Sequence, residues 1–323
     1  MIDRYGRTIE DIRVSIPDRC DLRCRYCMPD GCEKVSMSQI LTYEEIVRIC
    51  RAASELGISR IKITGGEPFV RLGCTDLIKE IKAINGIDEV TVTTNGQTLE
   101  QYIDELRLIG INGINISLDT LDPERFEYIT GRGKLEKTLR AIELAAGSGI
   151  KTKINTLIQK GFNEDELFDI ASLAFRYGID VRFIEMMPVG AADAGPGLSN
   201  PEVLRKLMDK WPDLEPDQSI HGNGPAVYYR RPGSKGAIGL ISAIHGKFCE
   251  HCNRVRLTSQ GQLKPCLSYD TGIDLRPLLK ETDDVLREAM RKAIYEKPKA
   301  HCFGDNGSSE DHAEHRLMSQ IGG

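Results

Sequence analysis

Residues 13–27 have the sequence RVSIPDRCDLRCRYC, and this stretch decides the fold. Polar and apolar residues alternate from Arg13 to Ile16, which predicts a β-strand. Cys20, Cys24 and Cys27 follow it at x3 and x2 spacings. The sequence therefore predicts a first strand that runs into a loop carrying three cysteines.

Strand-like and helical stretches alternate after this loop. Repeated βα units predict a parallel sheet with right-handed crossovers. With six units we predict an α/β fold, an incomplete (βα)6 TIM-like barrel whose functional groups lie at the carboxyl ends of the strands. We place a partial-barrel domain at 1–190 and a C-terminal cluster and substrate-binding region at 191–323. The predicted strands are 13–16, 61–64, 90–93, 114–117, 153–158 and 181–184, and the predicted helices are 42–56, 77–84, 99–109, 135–146, 164–177, 203–207 and 283–295.

Composition narrows the function classes. The chain has 323 residues, of which 40% are hydrophobic and 28% charged, as in an ordinary globular protein. The net charge of −5 gives no reason to expect nucleic-acid binding. We find no export signal and no apolar run of about 18 residues, so we expect a cytoplasmic protein with no membrane span. Ten cysteines in such a chain favour metal or redox chemistry over disulfides.

The first cysteine triad (Cys20, Cys24 and Cys27) leaves one corner of a four-iron cluster without a protein ligand. An open iron can bind a small molecule, as a catalytic zinc does through its open position. Zinc is the alternative, although x3 and x2 spacings are unusual for structural zinc. Cys32 is a conceivable fourth ligand, and we assign no role to Cys32 or Cys302.

A second cysteine triad consists of Cys249, Cys252 and Cys266. Its C-x2-C knuckle is common in zinc sites. The alternative is a second cluster that faces the first across the barrel mouth. Arg254 and Arg256 follow the knuckle, and in an extended segment they share a face. Two guanidinium forks suit a polyphosphate, whereas elsewhere such a pair would be solvated.

The segment from Asp18 to Pro29 resembles the signature of the radical S-adenosylmethionine (SAM) superfamily, and Thr64-Gly65-Gly66-Glu67-Pro68 continues the pattern. The resemblance implies that SAM chelates the open iron and yields a 5′-deoxyadenosyl radical. Two such triads with an Arg-x-Arg beside the second resemble one family closely, the GTP 3′,8-cyclases that begin molybdenum cofactor biosynthesis. Supporting motifs are Asp11-Ile12-Arg13, Thr93-Thr94-Asn95-Gly96, residues 115–119, residues 182–187, residues 249–257 and the closing Gly322-Gly323.

The resemblance implies two [4Fe-4S] clusters and a set of ligand contacts. The family's terminal glycines are thought to reach toward the active site, which Gly322-Gly323 would fit. Lys62 and Lys153 fall in predicted strands, where an inward lysine is costly unless it meets an anion. The implied SAM contacts are Tyr26, Gly66, Ser117 and Met187, and the implied GTP contacts are Arg13, Lys62, Thr93, Lys153, Arg254 and Arg256.

The family expectation is a lyase that converts GTP to (8S)-3′,8-cyclo-7,8-dihydroguanosine 5′-triphosphate. It also implies an electron donor such as flavodoxin or ferredoxin, cyclic pyranopterin monophosphate synthase as the next enzyme, and a possible homodimer. Two alternatives stay open. One is a radical SAM enzyme that modifies peptides with an auxiliary cluster. The other is a zinc-stabilised binding module that is not an enzyme.

Overall fold

The computed structural model describes residues 1–17, 19–28, 31, 35–189, 197–246, 248–303 and 313–322. Six strands from the first part of the chain form the centre of one sheet. They pair in chain order and all run parallel, which confirms the predicted βα repeats. The strands are β1 (Asp11–Ser15), β2 (Arg60–Thr64), β3 (Glu89–Thr94), β4 (Gly113–Ser117), β5 (Thr152–Leu157) and β6 (Asp180–Ile184).

Helices connect these strands and cover one face of the sheet. A capping box fixes the start of the first helix, as its sequence predicts. The Thr42 hydroxyl accepts from the Glu45 amide, and the Glu45 carboxylate accepts from the Thr42 amide. Two helices were not predicted: one lies between β4 and β5, and the other is a short helix near the C-terminus. The helices are α1 (Tyr43–Glu55), α2 (Cys74–Lys82), α3 (Ile103–Ile109), α4 (Pro123–Thr130), α5 (Leu135–Gly147), α6 (Leu167–Tyr177), α7 (Asn200–Lys210), α8 (Asp283–Tyr295) and α9 (Met318–Ile321). The unpredicted helices are α4 and α9.

The C-terminal region adds strands to both edges of this sheet. One of its strands pairs in parallel with β1 and another pairs in parallel with β6. The added strands are β7 (Glu215–Asp217), β8 (Val227–Arg230), β9 (Ile238–Ile241), β10 (Arg254–Leu257), β11 (Gln262–Lys264) and β12 (Ile273–Asp274). The order is β12-β11-β10-β1-β2-β3-β4-β5-β6-β9-β8-β7, so the described sheet stays open between its end strands, as expected for an incomplete barrel. The domain boundary at residue 190 stays a prediction.

Side chains alternate between the two faces of the central strands. Ile12 and Val14 of β1 and Ile61 and Ile63 of β2 are at most 1% exposed and belong to the apolar core. The residues between them are polar or charged and face the other way. Residues of β10 and of all six central strands line one cavity, which requires the sheet to curve around it. No helix among the described residues is both long and apolar enough to cross a membrane.

Candidate active site

The first triad lies on the loop that leaves the carboxyl end of β1, as the sequence predicts. This loop is held by α4, one of the two helices that the sequence analysis does not predict. The Arg23 amide donates to the Thr130 carbonyl (2.7 Å) and the Arg25 amide to the Ile129 carbonyl (3.0 Å). The Arg25 guanidinium also stacks 3.9 Å from the centre of the Tyr128 ring. The end of α4 therefore fixes the backbone that carries Cys24.

The chemistry of this triad fits a cationic cluster. Burial raises the pKa of Cys24, and the neighbouring Cys27 thiol raises it further. Burial also raises the pKa of Cys20, with added repulsion from Glu67 and Asp21. Thiolates so placed need a positive partner, and iron ions provide one. The nine cysteines that the structure describes form no disulfide. In the described part of the chain no group of three His, Cys, Asp or Glu residues is arranged to hold a metal ion.

Glycines after β2 bring its end against the cysteine loop. A Cβ on Gly66 would lie 2.3 Å from the Arg19 carbonyl oxygen, and a Cβ on Gly65 would lie 2.4 Å from Pro17 Cδ. The Gly66 amide donates to the Pro17 carbonyl at 2.9 Å. Only glycine permits so close an approach of two backbones. The Thr64-Gly65-Gly66 turn therefore forms a support for the segment that leads into Cys20.

Glu67 joins the ends of β2 and β3, a role that sequence reasoning missed. Its carboxylate is fully buried and accepts from the Thr94 hydroxyl (2.8 Å) and the Asn95 amide (2.7 Å). Burial raises the pKa of Glu67 to about 8 despite these hydrogen bonds. The Asn95 side chain then donates to the Asp21 carboxylate at 2.7 Å, within the cysteine loop.

The four residues that the resemblance assigns to SAM lie at the same edge of the sheet. Gly66 follows β2, Ser117 ends β4 and Met187 follows β6. Tyr26 lies in the cysteine loop, and its hydroxyl donates to Asp119 Oδ2 at 2.7 Å. Asp119 follows β4 and also accepts from the Leu157 amide at 2.9 Å. All four therefore lie at the carboxyl ends of the strands, beside the first triad.

Four of the six residues that the resemblance assigns to GTP line the cavity inside the sheet. They are Arg13, Lys62, Lys153 and Arg254. Thr93 is not among the lining residues. Thr91 is, and it lies two residues before Thr93 on the same face of β3.

Arg182 of β6 is a further cation of this cavity that sequence reasoning did not assign. Its Nη2 donates to Asn115 Oδ1 at 2.5 Å, and its Nε has no hydrogen-bond partner within the described chain. The alternation of side chains along this strand could have identified Arg182 as a cavity residue. Arg182 occupies the polar position of β6 beside β5, where alternation turns it toward the same cavity as Lys153.

Burial, together with the neighbouring positive charges, lowers the pKa values of these groups. Burial and the nearby Arg13 lower the pKa of Lys62 from 10.5 to about 7. Burial and Arg182 lower the pKa of Lys153 to about 8. Burial and Arg254 lower the pKa of Arg13 to about 10, and Arg13 Nε has no hydrogen-bond partner in the described chain. A polyanion in the cavity would reverse these shifts.

The second triad lies at the opposite end of the strands from the first. Cys249 and Cys252 precede β10, which runs parallel to β1, so they lie at its amino end. Cys266 follows β11, which runs antiparallel to β10 and returns to that end. The prediction that the two triads face each other across the barrel mouth is therefore wrong. The cavity lies between them, along strands about 17 Å long.

Cationic groups surround the second triad. Burial acts to raise the pKa of Cys252, but Lys297 and Arg254 together lower it to about 7. The Lys297 ammonium donates to the Arg254 carbonyl at 2.9 Å. Cys302, to which we gave no role, lies close by. Its amide donates to Ser268 Oγ (3.3 Å), which is 3.4 Å from Cys266 Sγ. Cys32 lies outside the described residues.

The C-terminal segment reaches the site. Arg256 Nη1 donates to the Gly322 carbonyl, and a Cβ on Gly322 would lie 3.1 Å from Thr64 Oγ1. The buried Glu314 anchors this segment, because it forms an ion pair with Lys264 of β11. The tail therefore reaches the face of β10 that carries the two arginines. Gly323 lies outside the described residues.

Two other cysteines and one arginine lie away from the cavity. Cys50 and Cys74 are 0% and 3% exposed, so both are buried thiols. The Arg71 guanidinium donates to the Ile16 carbonyl (2.7 Å) and the Leu41 carbonyl (2.8 Å), so it braces the loops after β1.

Comparison with known proteins agrees with this architecture. Residues 14–174 match the radical SAM superfamily, and residues 179–303 match the family called Molybdenum Cofactor Synthesis C. A solved structure, Streptococcus suis SuiB, shares the fold, with a TM-score of 0.65 at 14% identity over 90% of this chain and 67% of that one. The fold and the three-cysteine loop thus define a radical SAM protein.

Full-length relatives identify the family within this superfamily. The chain is 43% identical over 326 residues to a GTP 3′,8-cyclase of Clostridium perfringens, with all of both chains covered. It is 45% identical to a GTP 3′,8-cyclase of Peptoclostridium acidaminophilum, covering all of this chain and 98% of the relative. The chain belongs to the GTP 3′,8-cyclase family of molybdenum cofactor synthesis.

Proposed function

We propose that this chain converts GTP to (8S)-3′,8-cyclo-7,8-dihydroguanosine 5′-triphosphate, the first step of molybdenum cofactor biosynthesis. The observation that carries the proposal is the group of buried cations that lines the cavity between the two cysteine triads. Lys153 pairs with Asp180 at 3.3 Å, whereas Arg13 Nε and Arg182 Nε have no hydrogen-bond partner within the described chain. Buried cations that outnumber their counter-charges are costly, so the cavity suits a polyphosphate.

The first triad would hold the cluster that, with SAM bound, supplies a 5′-deoxyadenosyl radical. Cys20, Cys24 and Cys27 would ligate three of its irons, and the fourth would stay open for SAM. Tyr26, Gly66, Ser117 and Met187 would contact SAM. Their position at the strand ends supports this role. The second cluster is a proposal of its own, held by Cys249, Cys252 and Cys266 beside the guanine.

The cavity residues would hold GTP between the two ends. Arg13, Lys62, Lys153 and Arg254 would bind phosphate oxygens, and Thr93 and Arg256 would complete the contacts. Arg256 donates a hydrogen bond to the Gly322 carbonyl in this structure. GTP would therefore share the Arg256 guanidinium with the C-terminal segment or displace that segment. So held, GTP would give up its ribose 3′ hydrogen to the 5′-deoxyadenosyl radical, which becomes 5′-deoxyadenosine. The C3′ radical would then add to C8 of guanine, and one electron from the reductant with one proton would complete the 7,8-dihydro product.

The remaining expectations are also proposals. We infer an electron donor such as flavodoxin or ferredoxin, cyclic pyranopterin monophosphate synthase as the next enzyme, a cytoplasmic location and a homodimer. Peptide modification and a zinc-stabilised binding module are the competing functions. The full-length relatives favour the cyclase over both.

The deciding experiment is anaerobic reconstitution of the full chain, followed by metal, sulfide and product analysis. About eight irons per chain are expected for two four-iron clusters, and about four would remove the second cluster. Zinc at both triads, or no product from GTP, would overturn the proposal.

A double variant tests the phosphate contacts. Arg254→Ala combined with Arg256→Ala should abolish GTP binding while the first cluster still cleaves SAM. Arg291→Ala is the matched control, because this arginine is exposed on α8 and pairs only with Glu288 among the described residues. Unchanged GTP affinity in the double variant would show that the cavity does not bind the triphosphate.

A further inference from the structure

Two buried atoms of the cavity have opposite hydrogen-bonding character and no partner in the described chain. Asp11 is 8% exposed, and its Oδ1 accepts no hydrogen bond. The Nδ2 of Asn223 is buried and donates none. Both residues line the cavity. Because a buried unpartnered polar atom costs free energy, an acceptor and a donor left open together point to a ligand.

Asn253 fixes the positions of both residues. The Asp11 amide donates to the Asn253 carbonyl at 3.1 Å. The Asn253 side chain donates to Asn223 Oδ1 at 2.7 Å, which leaves the Asn223 NH₂ group to face elsewhere. Asn253 directly follows Cys252 of the second triad. The open acceptor and the open donor therefore lie at the amino end of the strands, where the second triad lies.

A carboxylate is out of place in a phosphate pocket, because it repels the anion. The other lining acid, Glu89, is paired with Arg60 at 3.4 Å. Asp11 forms no ion pair within the described residues, although its charge acts on Arg13 and Lys62, and its Oδ1 accepts no hydrogen bond from either. Its presence is explained if it meets a hydrogen-bond donor of the ligand. Guanine offers such a donor in its 2-amino group, and its O6 is an acceptor.

We propose that Asp11 and Asn223 select guanine by its polar edge. Asp11 Oδ1 accepts from the 2-amino group, and Asn223 Nδ2 donates to O6. Adenine has no 2-amino group and presents a donor where guanine has O6, so it satisfies neither residue. This inference rests on the proposed function, since it assumes that the base of GTP lies at the second triad.

Two analogues separate the two contacts. ITP lacks the 2-amino group and keeps O6, whereas the triphosphate of 2-aminopurine riboside keeps the amino group and lacks O6. Equilibrium dialysis with the anaerobically reconstituted full chain gives the dissociation constant for each. The wild type should bind each analogue on the order of 10-fold to 100-fold more weakly than GTP.

The variants should each lose one preference only. Asp11→Ala should bind ITP as well as GTP and still reject the 2-aminopurine nucleotide, and Asn223→Ala should do the reverse. Glu89→Ala also removes a negative charge from the cavity wall and should keep both preferences. Iron content and circular dichroism establish that each variant is folded.

Two results would overturn the inference. One is equal affinity of the wild type for GTP and ITP, which needs no variant to fold. The other is a folded Asp11→Ala variant that keeps its full preference for GTP over ITP. If the wild type binds none of the three nucleotides, the proposed function fails, and the base contacts fail with it.

Discussion

Binding of GTP should take up protons above pH 7, because burial lowers the pKa values of two cavity lysines. The pKa of Lys62 is about 7 and that of Lys153 about 8, against an ordinary 10.5. A bound triphosphate favours the charged ammonium and raises both pKa values. The perturbation is therefore a change of pH from 6 to 8, applied to the reconstituted chain and to Lys62→Met.

The magnitude follows from these values. At pH 8 a lysine of pKa 7 is about one-tenth protonated, and one of pKa 8 is about half protonated. Full protonation in the complex then corresponds to about 1.4 protons taken up per GTP at pH 8, and about 0.1 at pH 6. By linkage, the affinity for GTP should fall roughly 20-fold between pH 6 and pH 8 from these two groups.

Calorimetry in buffers of different ionisation enthalpy measures the proton uptake. The γ-phosphate of GTP also titrates, but it contributes equally to the wild type and to Lys62→Met. The variant should therefore take up about 0.9 fewer protons at pH 8. Lys79→Met, on the exposed face of α2, is the control and should match the wild type. Equal uptake by the wild type and Lys62→Met at pH 8 would refute the reasoning.

Three further predictions concern stability and assembly. Without GTP, Lys62→Met should raise the melting temperature by a few degrees at pH 7. The unfolded lysine is protonated below about pH 10.5, whereas the buried Lys62 has a pKa of about 7, so at pH 7 this lysine lowers the free energy of unfolding. The gain in the variant should disappear as the pH approaches 10.5. Gly66→Ala should lower both bound iron and SAM cleavage at least about 10-fold, since its Cβ would collide with the Arg19 carbonyl; normal iron content would contradict this. Glu314→Gln should leave Lys264 without its buried partner and release the C-terminal segment, measured as faster hydrogen exchange of residues 313–322, with Glu314→Asp as the conservative control.

The sequence predicts the central sheet well, because each strand can be recognised from the pattern of a few neighbouring residues. Alternation of apolar and charged residues in β1 and β2 is a property of a few neighbouring positions, and it also turns Arg13 and Lys62 into the cavity. The sequence analysis does not predict the helix α4, although the chain carries local signals for it. Its signals were Asp122 as N-cap, Pro123 at its first position and Gly131 at its end.

The position of the second triad depends on information that no local pattern holds. Cys252 lies at the amino end of the sheet because β10 pairs with β1, which is distant in the sequence. Parallel or antiparallel pairing decides to which edge of the sheet a loop returns, and residue types alone do not encode it. Asp11 was quoted in a motif but given no role. Its importance depends on its buried, unpartnered oxygen, which only the folded structure reveals.

The pairing of β1 with β10 also has a consequence for biosynthesis. While the ribosome makes the chain, β1 and the first triad emerge early, but the strand that covers their edge begins only at Arg254. An uncovered edge strand can pair with other chains and aggregate. The nascent protein must therefore carry an unprotected edge through most of its translation, and a chain truncated before Arg254 would expose it permanently.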